Sequence, residues 1–172
     1  GEQHKRAQRK ARRLGGITLY FGNVSRFAEH SKARDYAFSL RDDVDAVFVA
    51  ETHLNPADTE KLIHEARQGG WAANASPATP SKRSTSGNSG GVMMMTKNCW
   101  RAAPVILGGA ATSLCEGRIC AQELTMDGAA VICFDCYFCT DDKFGLVNQA
   151  ILETICFTTR NGRRPFVVMA DF

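Results

Sequence analysis

Two short runs of consecutive apolar residues constrain this chain more than any other feature. Ala46-Val-Phe-Val-Ala50 and Phe166-Val-Val-Met-Ala170 each hold five apolar residues without a polar interruption. Runs this short, bounded by polar and turn residues, fit strands covered on both faces rather than amphipathic helices. Each run also ends on an acid, Glu51 in one case and Asp171 in the other. A carboxylate at the end of a buried strand stands at the rim of a sheet, where a cleft can form.

The remaining pattern supplies elements to pack around those strands. Gly15-Gly16 precedes an alternating strand, Ile17–Phe21, which Gly22-Asn23 ends. A helix is expected from Phe27 to Leu40, with Ala33, Tyr36, Ala37 and Leu40 on one stripe. Asn55 is placed to cap a second helix, with Pro56 at its first position, a body from Ala57 to Gln68 and a stop at Gly69-Gly70. Residues 74–91 are rich in Ser, Thr, Pro, Gly and Asn and read as a long exposed loop, leading through Gly90-Gly91 into a strand at Val92–Met95. Arg118–Leu124 and Ala129–Phe138 flank Asp127-Gly128, a strong hairpin signal. Asp141-Asp142 can cap a third helix, Phe144–Thr158, whose stripe is Phe144, Val147, Ile151, Thr154 and Ile155. Arg160–Arg164 is a basic turn before the second apolar run. No internal repeat or second domain is visible, and the mixture of elements with an antiparallel hairpin gives an α/β or α+β class.

Charge needs to be read regionally. The chain of 172 residues carries a formal +3, but six of its 21 basic residues (Lys5, Arg6, Arg9, Lys10, Arg12, Arg13) lie in residues 1–13 beside the single acid Glu2. Without that stretch, 15 basic and 17 acidic residues remain and the sign turns to −2. Residues 1–16 therefore read as a basic flexible tail, either a solvated terminus or an arm for nuclear import or phosphate binding. Residues 17–172 form the folded part. No apolar run reaches the roughly 18–20 residues of a membrane span, and no signal-peptide pattern opens the chain. The first residue is Gly rather than Met, consistent with a start that is missing or trimmed. Seven cysteines, an odd number, favour free thiols in a reducing, intracellular setting, with the nucleus allowed by the tail. Cys133, Cys136 and Cys139 invite comparison with a metal motif. Within a strand, however, residues three apart point to opposite faces, so buried structural thiols are expected.

Asn23, Glu51 and Asp171 each follow a strand directly. Any one of them alone is accounted for by the polarity of loops. Glu51 and Asp171 together favour a site, because hard oxygen ligands at a sheet rim suit Mg²⁺, usually held by one or two carboxylates plus substrate phosphate.

The local strings then carry a resemblance. Val47-Phe-Val-Ala-Glu51-Thr52-His53-Leu54 is similar to the Gln-Glu-Thr-His signature of the endonuclease/exonuclease/phosphatase superfamily. Phe21-Gly22-Asn23-Val24 resembles its opening Trp-Asn-Val strand, Ser89-Gly90-Gly91-Val92 its Gly-Gly-Val strand, and Phe134-Asp135-Cys136-Tyr137 its Asn-Val-Tyr strand. Val167-Val168-Met169-Ala170-Asp171-Phe172 resembles its Gly-Asp-Phe-Asn. The pieces occur in the family's order from Ile17 to Phe172. The resemblance implies a four-layer β-sandwich with flanking helices, of which the chain holds the N-terminal part. It implies Glu51 as the main Mg²⁺ ligand, with Mn²⁺ as a substitute, and Asn23 holding metal or phosphate. Tyr137 would hydrogen-bond the scissile phosphate, and Asp171 would orient the attacking water. Thr52 and His53 would brace the glutamate loop.

The sequence departs from the family at Ala50 for Gln, at Ala170 for Gly, and at Tyr20-Phe21-Gly22 for Trp. The family's Asn after Phe172 and its Ser-Asp-His segment, which brings the phosphate-contacting histidine, are not within these residues. The expectation is a piece that is inactive by itself. The Glu-Thr-His-Leu form and the basic arm resemble retrotransposon or abasic-type endonucleases, so the implied partner is nucleic acid, DNA before RNA, with no membrane and no reading of oligomeric state. Lys82, Arg83, Arg160, Arg163 and Arg164 are candidate phosphate contacts, or simply solvated loop charges. A phosphatase or phospholipase of the same fold, and a degenerate binding remnant that cleaves nothing, are the competing readings.

Overall fold

The computed structural model describes residues 16–24, 35, 44–81, 87–109, 112–126, 128–140 and 145–171. In chain order the elements are β1 (Leu19–Asn23), β2 (Ala46–Ala50), α1 (Pro56–Gln68), β3 (Trp71–Ser76), β4 (Thr79–Pro80), β5 (Asn88–Ser89), β6 (Val92–Lys97), β7 (Ala102–Pro104), β8 (Ile119–Met126), β9 (Ala129–Tyr137), α2 (Leu146–Thr158) and β10 (Phe166–Asp171). Two four-stranded sheets result, ordered β1-β2-β6-β3 and β10-β9-β8-β7, beside a small β4-β5 ribbon. β1 runs parallel to β2 and β10 parallel to β9, while the other pairs are antiparallel.

Side-chain alternation turns these strands into four layers. In the first sheet Val47, Val49, Met93 and Met95 face α1, meeting Leu62 and Ala66. Ala46, Phe48, Val92 and Met94 face the second sheet, meeting Cys120, Leu124 and Cys133. The second sheet's other face, Ile119, Ala121, Ile132, Phe134 and Cys136, packs on Ala150, Ile151 and Ile155 of α2. β2 is buried along its whole length, as its unbroken apolar run requires. Cys133 and Cys136 lie in different core layers, so the C-x-x-C spacing does not converge. All seven cysteines are free thiols.

Local signals account for α1. The Asn55 side chain accepts the Asp58 N–H at 2.9 Å, Pro56 occupies the first turn and Gly69 closes the helix. Polar groups also register the sheets. Thr96 Oγ1 donates to Gln122 Oε1 at 2.8 Å, Gln122 Nε2 donates to the Ala72 carbonyl at 3.2 Å, and Asn74 Nδ2 donates to the Ala121 carbonyl at 2.8 Å.

Two expectations need correction. Residues 74–91 are not all loop: Trp71–Ser76 is a strand paired with β6 over its full length, and Thr79–Pro80 pairs with Asn88–Ser89. Small and polar residues concealed a strand whose inward face, Trp71, Ala73 and Ala75, is apolar but mostly alanine. β10 is also not buried on both faces. Among the described residues it pairs only with β9, and Phe166 and Val168 remain exposed on its outer side. Residues 1–15 of the basic tail, the expected helix at Phe27–Leu40 apart from Asp35, Lys82, Arg83, the Asp141-Asp142 cap and Phe172 lie outside the described residues.

Candidate active site

One end of the sandwich collects the candidate residues. β1 and β2 end there side by side, with Asn23 in register with Ala50. β9 and β10 end opposite them, with Asp171 in register with Tyr137. Asn23 continues the inward parity of Leu19 and Phe21, and Tyr137 that of Cys133. Asp171 continues that of Val167 and Met169. Alternation alone thus brings three side chains to the mouth between the sheets.

Glu51 arrives differently. It follows Val47 and Val49, whose side chains face α1, so regular strand geometry would carry it away from the second sheet. Its backbone is left-handed instead, with φ +58°, and His53 two residues later has φ +53°. Non-glycine residues enter that region rarely and at a cost of order 1–3 kcal/mol. The turn redirects the carboxylate so that Glu51 Oε1 accepts the Tyr137 hydroxyl.

The surroundings hold that turn. Thr52 N–H donates to the Gly91 carbonyl at 3.1 Å and His53 N–H to Gly90 at 2.9 Å. The His53 ring nitrogen Nδ1 stands 2.7 Å from the Asn88 carbonyl, and Asn88 Nδ2 donates to the His53 carbonyl at 3.2 Å. Glycine is required at this contact. A Cβ on Gly91, at φ +86°, would collide with Thr52 Oγ1, and one on Gly90, at φ +77°, would stand 2.7 Å from the Gly117 carbonyl.

Across the mouth, Asn23 Nδ2 donates to Asp171 Oδ2 at 2.6 Å. Phe138 N–H donates to the Asp171 carbonyl at 2.9 Å, continuing the β9–β10 pairing past Tyr137. Glu51–Tyr137 and Asn23–Asp171 are therefore two cross-sheet pairs set side by side. Burial, then the Glu51 hydrogen bond and charge, raise the Tyr137 hydroxyl to about 12, with Arg118 acting in the opposite direction. The phenol stays protonated, and so remains a donor, throughout the neutral range.

Arg118 was not singled out from the sequence. Its guanidinium lies 4.6 Å from the Tyr137 ring centre and donates to Ser89 Oγ at 3.3 Å. A signal for it exists, because Arg118 has the inward parity of Cys120 and Leu124, one step before β8. The basic turn behaves otherwise. Arg160, Arg163 and Arg164 precede β10, whereas Asp171 ends it, five residues or roughly 16 Å along the strand from Phe166. Arg164 is engaged by Glu123. The structure does not bring these three arginines to the mouth.

Among the described residues, no group of three or more His, Cys, Asp or Glu side chains is assembled to coordinate a metal. The donors at the mouth are two carboxylates, an amide and a phenol. All are hard oxygen ligands, of the number that suits a cation completing its shell with water or phosphate.

No family model matches the sequence, and no curated protein matches it. Solved structures do. The AP endonuclease LMAP from Leishmania major aligns with a TM-score of 0.62 at 16% identity, over 90% of this chain and 54% of that one. An endonuclease/exonuclease/phosphatase family protein from Leptotrichia buccalis gives 0.59 at 12%, over 91% and 66%. The endonuclease domain of TRAS1, a telomere-specific non-LTR retrotransposon, gives 0.52 at 10%, over 90% and 58%. The chain thus spans between half and two thirds of the structures it matches. In its order of strands, its two facing sheets and its outer helices, this chain has the fold of the endonuclease/exonuclease/phosphatase superfamily.

Proposed function

We propose that the mouth is the catalytic face of a divalent-metal-dependent phosphodiester hydrolase, an endonuclease acting on DNA. The observation that carries the reading is the convergence of Glu51, Tyr137, Asn23 and Asp171 from both sheets, with Glu51 held there in a strained backbone conformation. Structures with this fold include an AP endonuclease and a retrotransposon endonuclease, which supports DNA as substrate.

Glu51 and the Asn23 side-chain carbonyl would hold Mg²⁺, or Mn²⁺ in its place. The ion supplies polarisation of the phosphate when bound. Tyr137, protonated at neutral pH, exchanges its Glu51 hydrogen bond for one to a phosphate oxygen. The Arg118 guanidinium beside it offsets phosphate charge. Asp171, fixed by the Asn23 amide, accepts a hydrogen bond from the attacking water and so aligns it. His53 Nδ1 is engaged by the Asn88 carbonyl and His64 is exposed on α1 beside Gln68, so acid–base chemistry is left to a Ser-Asp-His segment, and these residues are read as binding metal without turning over substrate by themselves.

Mn²⁺ titration of the chain, followed by electron paramagnetic resonance, tests this. Outer-shell partners alone are worth about 10–100-fold in metal affinity, so Glu51→Gln should weaken binding by at least about ten-fold. Equal Mn²⁺ affinity in the two proteins sinks the assignment. Absence of binding in the wild type favours the non-catalytic remnant. A form that also carries a Ser-Asp-His segment should nick supercoiled plasmid with Mg²⁺, and Glu51→Gln should abolish it.

A further inference from the structure

At the other end of β10, a cavity of about 440 Å³ opens between the segment after β7 and the C-terminal end of α2. Val105, Ile106 and Phe157 form an apolar wall, and Arg160, Asn161 and Arg164 a polar one. None of its lining residues is acidic. Its size is that of a small-molecule or single-nucleotide site.

The apolar wall is unusual for its exposure. Phe157 is 64% exposed and Ile106 94% exposed. Phe157 is nevertheless fixed. A Cβ on Gly108 would lie 2.6 Å from its ring, so glycine lets the backbone rest directly against it. Gly108 N–H in turn points at Thr158 Oγ1, 3.4 Å away. The ring is supported on one side and open on another, and little freedom remains to be lost when something stacks on it. Beside it, Arg160 is exposed in a turn closed by its own N–H to the Phe157 carbonyl at 3.0 Å. Arg164 is partly neutralised by Glu123, which leaves Arg160 as the leading cation of the site.

A supported aromatic ring next to a guanidinium, with a side-chain amide and no carboxylate, matches a flat base carrying a phosphate. We infer that this pocket binds one nucleotide of a single-stranded nucleic acid, with the base on Phe157 and the phosphate at Arg160. The contact lies a strand's length from the Glu51 mouth. It extends the proposed nuclease reading by giving single-stranded nucleic acid a second hold, yet it needs no metal.

The test is fluorescence anisotropy of a labelled short oligothymidylate with the full chain, in EDTA so that the mouth contributes no metal-dependent binding. Residues 1–16 are the same in every variant, so differences between variants are what is read. Phe157→Leu should weaken binding by at least about five-fold, and Phe157→Trp should restore it. Arg160→Asn, which tolerates the φ of +54° at this position, should lower the salt slope by about 0.7. An abasic oligonucleotide of equal length should be indifferent to Phe157→Leu. Oligothymidylate binding unchanged by both Phe157→Leu and Arg160→Asn overturns the inference. So does Phe157-dependent capture of an acidic, aromatic peptide in a protein that shows no such dependence for oligothymidylate. Failure here with intact Mn²⁺ binding at Glu51 leaves the hydrolase reading standing, and the reverse outcome separates them the other way.

Discussion

Asp135 offers the sharpest check on how the two sheets are held together. Its side chain is fully buried between them. Oδ2 accepts the Val49 N–H at 3.0 Å, and Oδ1 is buried with no hydrogen-bond partner. Burial drives its pKa well above the usual carboxylate range, and the N–H groups of Val49 and Met93 offset only part of that. Cys120 and Cys136, the titratable groups beside it, are themselves pushed up by burial first and by Asp135 second. The folded protein therefore keeps a proton on Asp135 that the unfolded chain releases near pH 3.9. Stability from this residue is complete below that pH. It falls by about 1.4 kcal/mol per pH unit above it, until the folded group ionises. Asp135→Asn keeps an acceptor for Val49 and removes the proton equilibrium. The variant should thus gain on the wild type as pH rises, even if its new N–H₂ costs about 1–3 kcal/mol for want of an acceptor. Urea unfolding followed by the fluorescence of buried Trp71, at a series of pH values from 5 to 8, gives the difference curve, in which other groups cancel. A difference that is flat, or that falls with pH, refutes the argument that Asp135 is buried as the neutral acid.

Further outcomes follow from the same geometry. Tyr137, raised to about 12 against an unfolded value near 10, contributes stability that is whole below pH 10 and lost through pH 12. Tyr137→Phe should remove that alkaline component, as monitored by circular dichroism against pH. Gly91→Ala forces a side chain into Thr52 and into a φ of +86°. It should lower the melting temperature and also weaken Mn²⁺ binding, whereas Gly128→Ala, with open space around it, should affect stability alone. Asn55→Ala removes the cap of α1 and should cost about 1 kcal/mol in urea unfolding without touching metal affinity.

What was legible in the sequence was what local rules dictate. The apolar run of β2, the Asn55-Pro56 cap and the Asp127-Gly128 hairpin each carry their own signal, and strand parity was enough to part Cys133 from Cys136. Trp71–Ser76 carried only a faint one, because its inward face, Trp71, Ala73 and Ala75, is mostly alanine and its other face is largely polar, so pairing with β6 and the reach of Asn74 to Ala121 are what define the strand. The run Phe166–Ala170 showed a capacity for burial on both faces, but which face is covered depends on neighbours, and Phe166 and Val168 face outward. Arg160, Arg163 and Arg164 are near Asp171 in sequence, but the length of β10 separates them in space. Arg118 shows the opposite relation, distant in sequence from Glu51 and adjacent to Tyr137 through the β8–β9 hairpin.

The convergence of Glu51 on Tyr137 is better understood from the layer beneath it. Val49 and Asp135 precede Glu51 and Tyr137 by two residues each, so the buried Val49–Asp135 hydrogen bond and the Glu51–Tyr137 hydrogen bond join the same two strands one pleat apart. A one-residue slip between the sheets would break the lower bond inside the core, where leaving a polar group unpaired costs about 1–3 kcal/mol. It would also carry Tyr137 away from the turn that Gly90 and Gly91 hold. The lower bond thus sets the height of β9 against β2, and the left-handed Glu51 sets the direction of the carboxylate. Neither alone suffices, since a correct register with a regular strand at Glu51 would aim it toward α1. Burial of an acid between the sheets and strain at their rim are two parts of one arrangement, which is why a variant that only loosens the register, such as Asp135→Leu, should weaken Mn²⁺ binding although it touches no oxygen at the mouth.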